Sequence, residues 1–248
     1  MNTNLIQFYN NSAFLSSYTI MNLKKFINLM WRGNNLQVKS MSLGPLGTNC
    51  YIVSHDHEAI IFDPSGEAEK IISYLEDNNL KPLAILLTHA HFDHIGALDE
   101  VRKHYDIDVY LHEAEEGWLV DPELNRSSLY FPESNWIKTE LPEKQVDEGT
   151  LSIGPFKMDV VHTPGHSPGS VTYIFHEQEF IVSGDVLFRL GIGRTDLPGG
   201  SIEQLAKSIV HHLYSLPDQF KVFAGHNIQT TIGTEKHENP YTRQFYKA

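Results

Sequence analysis

The chain has 248 residues, 41% of them hydrophobic and 20% charged, enough for one large domain or two small ones with a sizeable core. Its 31 acidic residues outnumber 19 basic ones, and a net charge of −12 repels phosphate backbones, so no nucleic-acid partner is expected. Cys50 is the single cysteine, which excludes an intrachain disulfide and fits a reducing, cytoplasmic setting.

The first 55 residues contain no Asp or Glu, whereas Lys24, Lys25, Arg32 and Lys39 are basic. Ile20, Leu23, Ile27 and Met30 fall at helical spacing, so a targeting segment, a disordered extension and an over-long start all fit. The disordered reading is preferred, and residues 1–35 are expected to add little to the core. No apolar run approaches the ~20 residues that span a bilayer, so no membrane partner is expected.

From Leu36 the pattern becomes regular. "LQVKSMSL", "NCYIVSH" and "AIIFD" predict strands, and Cys50 is expected to be a buried, inert thiol. "EAEKIISYLEDNN" predicts a helix, "LAILLT" a buried strand, and "HIGALDEVRKHY" a helix with Ile95, Leu98, Val101 and Tyr105 in register. "DVYLH" reads as a strand and "EAEEGWLVD" as a short helix. Residues 122–144 lack a period, carry Pro122, Pro132 and Pro142 beside Tyr130, Phe131 and Trp136, and read as a long loop, either functional or a passive lid.

Strands resume with "TLSIG", "FKMDVVH", "SVTYIFH" and "EFIVSGD". "SIEQLAKSIVHHLYSL" is amphipathic, with Ile202, Leu205, Ile209, Val210 and Leu213 on one face. "FKVFAGH" predicts a last strand, and the tail beyond Glu235 reads as helical. No fixed-period repeat occurs, and clustered strands with intervening helices predict one sandwich-like domain over residues 36–248.

The chemistry gathers at strand ends. "LLTHAHFDHIGAL" places His89, His91, Asp93 and His94 where a strand yields to a helix, so that side chains leaving the sheet converge over its edge. Imidazoles with carboxylates suit zinc, iron or manganese rather than calcium or magnesium. Four such groups in one segment exceed what one tetrahedral ion takes, so two ions use them better. "VVHTPGHSPGS", "FIVSGD" and "FKVFAGH" deliver His166, Asp185 and His226 at further strand ends. His162 competes with His166, which is preferred because it lies on the loop rather than in the strand. Asp63 either orients a ligand from behind or caps the following helix.

On these motifs the chain resembles the metallo-β-lactamase superfamily. "THAHFDH" matches its HxHxDH signature, and the later His, Asp and His follow in order. Within it, "TPGHSPGS", "GDVLFRLGIGRTDLPGG" and "TTIGTEKHENP" are similar to short glyoxalase II-like hydrolases. The resemblance covers residues 36–248 and implies an α+β, four-layer αββα sandwich with two divalent ions at one edge. Zinc is the first expectation, with iron and manganese as alternatives. His89, His91 and His166 would hold one ion, Asp93, His94 and His226 the other, and Asp185 would bridge them. Asp93 and Asp185 are the expected catalytic carboxylates, with a hydroxide between the ions as nucleophile.

The implied reaction is hydrolysis of an S-2-hydroxyacyl thiol, such as S-lactoylglutathione or another low-molecular-weight conjugate. The helical, glutathione-binding region of longer glyoxalase II enzymes has no match here, and "GHNI" stands where relatives often read "GHGP". Arg194 and the 122–144 loop are the candidate substrate contacts, an Arg194–Asp196 ion pair being the other reading of that arginine. "GRTD" also occurs in persulfide dioxygenases of this fold, which makes a mononuclear iron dioxygenase the alternative enzyme. A tRNA-processing nuclease is disfavoured by charge, and a β-lactamase by Asp93, His94 and Asp185, where those enzymes use a cysteine or a shorter motif.

Overall fold

Fourteen strands in a computed structural model, which describes residues 36–245, form two six-stranded sheets and one small hairpin. The expected extension, residues 1–35, lies outside the described residues. The first sheet runs β1 (Gln37–Leu43), β2 (Thr48–His55), β3 (Glu58–Phe62), β4 (Lys81–Leu86), β5 (Asp108–Leu111) and β6 (Lys144–Gln145), in that order. Strands β1 to β3 are antiparallel, and β3 to β6 are parallel. Parallel neighbours require crossovers, supplied by α1 (Ala68–Asp77) between β3 and β4 and by α2 (Leu98–Tyr105) between β4 and β5.

The second sheet begins with the antiparallel β7 (Gly149–Ile153), β8 (Phe156–His162), β9 (Val171–Phe175) and β10 (Phe180–Gly184). The hairpin β11 (Leu187–Phe188) and β12 (Gly191–Ile192) follows. Strand β13 (Lys221–Ala224) then lies parallel to β10, with β14 (Thr230–Thr231) at its far side. α3 is the short turn of helix Ser127–Tyr130, and α4 (Ile202–Ser208) and α5 (Ile232–Glu238) pack on the second sheet.

Strand alternation explains the layers. In β2, Cys50 and Ile52 face α1 and α2 with Ile71, Leu75, Leu98 and Val101, while Tyr51 and Val53 face the opposite sheet. In β9, Tyr173 and Phe175 meet Phe62 between the sheets, whereas Ile174 packs with Leu205, Ile209 and Leu213. Three apolar layers thus separate helix, sheet, sheet and helix, the expected αββα order. Cys50 is fully buried, and burial pushes its thiol pKa well up, so it is inert as expected.

Helical periodicity overran three boundaries. α2 starts at Leu98 instead of His94, because the chain first turns through His94 N–H to His91 O and Leu98 N–H to Ile95 O. The 201–216 helix widens after Ser208 into a π turn over Ile209–Leu213, with Tyr214 N–H donating to Ile209 O at 2.8 Å. α5 is already under way at Ile232, its amide turn capped by Thr231 Oγ1, and it ends at Glu238. The 122–144 stretch contains α3, a 3₁₀ turn at Glu133–Asn135 and the start of β6, all too short to show a period. Among the described residues, no helix is long and apolar enough to cross a membrane.

Candidate metal centre

The seven candidate ligands come from both sheets and meet at one edge of the sandwich. Between β4 and α2, the buried Ala90, Phe92 and Ile95 anchor the backbone, and His89, His91, Asp93 and His94 fill the intervening positions. His166 sits on the loop after β8, where Gly165 adopts φ 133° and packs so tightly on Leu205 that any side chain would strike its backbone. Asp185 follows β10 and His226 follows β13. Gly225 is likewise obligatory, since a Cβ there would fall on Asp185 Oδ1 and lie 2.8 Å from His94 Cε1.

Hydrogen bonds behind the rings decide which nitrogens face inward. His94 Nδ1 bonds Asp63 Oδ2 at 2.9 Å, and His166 Nδ1–H donates to Arg194 O at 2.8 Å, so each ring turns Nε2 to the centre. His89 Nδ1 lies 3.1 Å from Thr88 Oγ1, which donates to Asp63 Oδ2 at 2.7 Å. His91 presents Nδ1, 2.9 Å from His166 Nε2. Asp185 Oδ1 lies 3.4 Å from His94 Nε2, while its Oδ2 lies 3.6 Å from His166 Nε2 and 3.5 Å from His226 Nε2. Asp93 Oδ2 lies 3.7 Å from His94 Nε2 and 3.2 Å from His226 Nε2.

These residues fit divalent cations on two independent grounds. Bonds of about 2.1 Å in a tetrahedral site put neighbouring ligand atoms about 3.4 Å apart, which the 2.9–3.7 Å separations bracket. His89 Nε2, His94 Nε2 and Asp185 Oδ1 are also buried without a hydrogen-bond partner, although burying such atoms unsatisfied is costly. Asp63, Asp93 and Asp185 are buried, and their ion pairs among the described residues are with imidazoles, never with Lys or Arg. Added positive charge offsets that arrangement.

The pKa shifts describe the same field. Burial alone opposes charging His94, yet Asp93, Asp63 and Asp185 raise its pKa well above an ordinary imidazole. Burial also works against charging His226, but hydrogen bonds to Asp185 and Asp93 carry it to about 9. His91 is held down at about 3 by burial and by the neighbouring His166. Burial favours protonated Asp93, but His94 and the bond to His226 bring it down to about 2. One half of the centre therefore attracts protons or cations, while the other keeps its imidazoles neutral.

The structure separates the open alternatives. His162 ends β8, stacks on His112 at 4.4 Å and bonds Pro168 O at 2.8 Å, outside the cluster. Asp63 orients His94 and Thr88, while α1 has no side-chain cap. Arg194 forms the two-pronged pair with Asp196, both bonds 2.7 Å, and also lines the cavity over the centre. Spacing gave no sign of Thr48, which donates to Asp93 Oδ2 at 2.6 Å, or of Asn49, whose amide holds Ala224 O and Asn227 O around His226. It likewise missed the buried Glu115, whose two oxygens accept from Ala90 N–H at 2.6 Å and Gly169 N–H at 2.7 Å.

An αββα sandwich with His and Asp gathered at its edge is the frame of a metal-dependent hydrolase. The chain belongs to the metallo-beta-lactamase superfamily, whose profile matches residues 43–226, and it is a metallo-hydrolase of that superfamily. It is similar to the probable metallo-hydrolase YqgX of Bacillus subtilis (strain 168), 47% identical over 84% of this chain and 98% of that protein. It is also similar to the hydroxyacylglutathione hydrolase GloC of Haemophilus influenzae, 38% identical over 78% of this chain and 92% of the relative. The crystal structure of the B3 metallo-beta-lactamase BLEG-1 superposes with a TM-score of 0.80 at 49% identity, over 83% of this chain and 99% of that one. TTHA1623, solved in a di-iron-bound form, superposes with a TM-score of 0.75 at 38% identity, over 82% and 100%.

Proposed function

We propose that the chain is a dinuclear thioester hydrolase, converting an S-2-hydroxyacyl thiol and water into a 2-hydroxy acid and a free thiol. The observation that carries the dinuclear reading is Asp185, whose carboxylate lies within reach of imidazoles of both ligand sets, 3.6 Å from His166 of one and 3.4 and 3.5 Å from His94 and His226 of the other. His89, His91 and His166 would hold one ion, Asp93, His94 and His226 the second, and Asp185 would touch both. Bound there, two divalent ions would polarise the acyl oxygen and lower the pKa of an attacking water toward neutrality.

The chain's own groups set the rest. Asp93 lines the cavity with its Oδ2 fixed by Thr48, and it is the carboxylate placed to receive the proton that the attacking water loses. Asp63 keeps the Nδ1 proton on His94, and Arg194 O keeps it on His166. Beyond the candidate ligands, the cavity of about 370 Å3 presents no further carboxyl, histidine or lysine among the described residues. A thiolate departs without a proton, so a thioester asks less of this cavity than an amide would, which supports a thioester. The similarity to GloC supports the same class.

β-Lactam hydrolysis is a second reading, favoured by the 49% identity to BLEG-1. One experiment separates them. Protein loaded in turn with zinc, iron or manganese is assayed on an S-lactoyl thioester and on a chromogenic cephalosporin, before and after chelation. The proposal expects chelator-sensitive thioester turnover that dominates. Turnover surviving complete demetallation overturns it, and dominant cephalosporin turnover installs the second reading. One iron per chain with oxygen consumed on a persulfide installs the dioxygenase.

A further inference from the structure

We infer that Arg126 recognises an anionic oxygen group, a carboxylate, on the thiol half of the substrate. The inference rests on the thioesterase reading and deepens it. Arg126 lies in the 122–144 stretch, whose sequence reads as a long loop and a candidate substrate contact, and it lines the cavity over the metal centre. Once the metal-facing groups are set aside, that cavity is walled by Leu46, Phe92, Leu129, Tyr130 and Phe188, with Arg126 and Arg194 the only permanent charges among the described residues. Asp196 already neutralises Arg194 through two short bonds. Arg126 has no carboxylate partner among the described ion pairs. Its Nη1 donates to Glu123 O at 2.9 Å, and its Nε is buried with no acceptor.

The backbone holds this cation in place. Arg126 adopts φ 72°, a left-handed conformation that a long side chain takes only when its surroundings impose it. The constraint is Asn125, whose Nδ2 donates to Trp118 O and Ile137 O and whose carbonyl accepts from Phe92 N–H at 2.8 Å. Phe92 stands between two candidate ligands, and its ring meets Tyr130 at 4.7 Å, so the arginine is tied to the metal-binding segment itself. In a chain of net charge −12, a fixed guanidinium in a largely apolar cavity selects an anion.

The opposite wall gives a direction. A groove of about 870 Å3 adjoins the cavity through Leu46 and His226, and its other walls include Ser40, Asn49, Asn227 and Gln229 but, among the described residues, no Lys or Arg. An anionic group therefore turns toward Arg126 and away from this groove. The acyl carbonyl must lie against the metal centre, which leaves the thiol half to reach the wall. A guanidinium meets a carboxylate through paired N–H donors, and the Nη edge of Arg126 is the one that can offer them, its Nε being buried behind.

The test uses two thioesters that differ only in charge, S-lactoyl-3-mercaptopropionate and S-lactoyl-3-mercaptopropionamide, with metal-loaded full-length protein. The parent is expected to prefer the carboxylate, chiefly through KM. Arg126→Asn, whose residue tolerates positive φ, should cut kcat/KM for the carboxylate roughly tenfold or more, as losing a charged hydrogen bond does, and cut that for the amide severalfold less. Arg126→Lys should restore part of the preference. Calorimetric binding of free 3-mercaptopropionate and of propionate, to loaded and metal-free protein, gives a readout independent of turnover. Equal loss on both substrates, no preference in the parent, or ligand binding unchanged in Arg126→Asn each overturns the inference while thioesterase activity stands. No turnover of either thioester with Arg126-dependent binding intact would remove the thioesterase reading instead.

Discussion

Asp63 shows how much one residue outside the ligand set can decide. Its Oδ1 accepts from Thr88 N–H at 2.8 Å, and its Oδ2 bonds both Thr88 Oγ1 and His94 Nδ1. The carboxylate thereby fixes the tautomer and the plane of His94. Asp63→Asn keeps the volume but can present an amide N–H to the ring, which favours the tautomer with its proton at the centre. Metal affinity is expected to fall about 10–100-fold, as for other groups that support a ligand, with turnover falling in parallel while the fold persists. Metal titration beside circular dichroism checks this, and unchanged affinity would mean His94 orients itself. Asp185→Ala removes the carboxylate that faces both groups of imidazoles, and metal content is expected to drop from about two per chain toward one or fewer. Elemental analysis decides, with His226→Ala expected to weaken chiefly the ion held with Asp93 and His94.

Among the elements, the 3₁₀ turn Glu113–Leu119 ties two metal-binding loops together through Glu115. Burial pushes the Glu115 carboxyl up, against hydrogen bonds from Ser167 and the Ala90 and Gly169 amides that favour its anion. Glu115→Gln replaces one acceptor by an NH2 aimed at a backbone N–H. The expected cost is about 1–3 kcal/mol of stability, the usual penalty for an unsatisfied buried donor, measured by urea unfolding, with weaker metal binding alongside. Glu115 also marks what the sequence could reveal. The ligands were legible because they recur at strand ends in a spacing that chance rarely produces. Thr48 and Glu115 were not, since each is a single polar residue whose partner lies far along the chain, 45 residues away for Thr48 and Asp93. Strand alternation yielded the layers, whereas α3 and the hairpin β11–β12 were missed because elements of two to four residues carry no period.

The whole molecule is divided by its own site. His89, His91, Asp93 and His94 come from the first sheet, and His166, Asp185 and His226 from the second, so bound ions join two halves that otherwise meet through the apolar layer of Phe62, Tyr173 and Phe175. Ions that bind only the folded chain stabilise it by about 2.7 kcal/mol at a concentration 100-fold above Kd. Chelation is therefore expected to lower Tm, and restoring metal to recover it, with scanning calorimetry as the measurement. The same division has a consequence for rates. The ligands can converge only after both sheets have docked, which places the site among the last features to form on folding. Metal should then leave the refolding rate nearly unchanged and act almost wholly by slowing unfolding. Stopped-flow traces in urea with and without metal would read this directly, and faster refolding in metal would show the site assembling early. A cell that withholds metal from this protein would thus still obtain folded chains at the usual speed, but would lose them sooner.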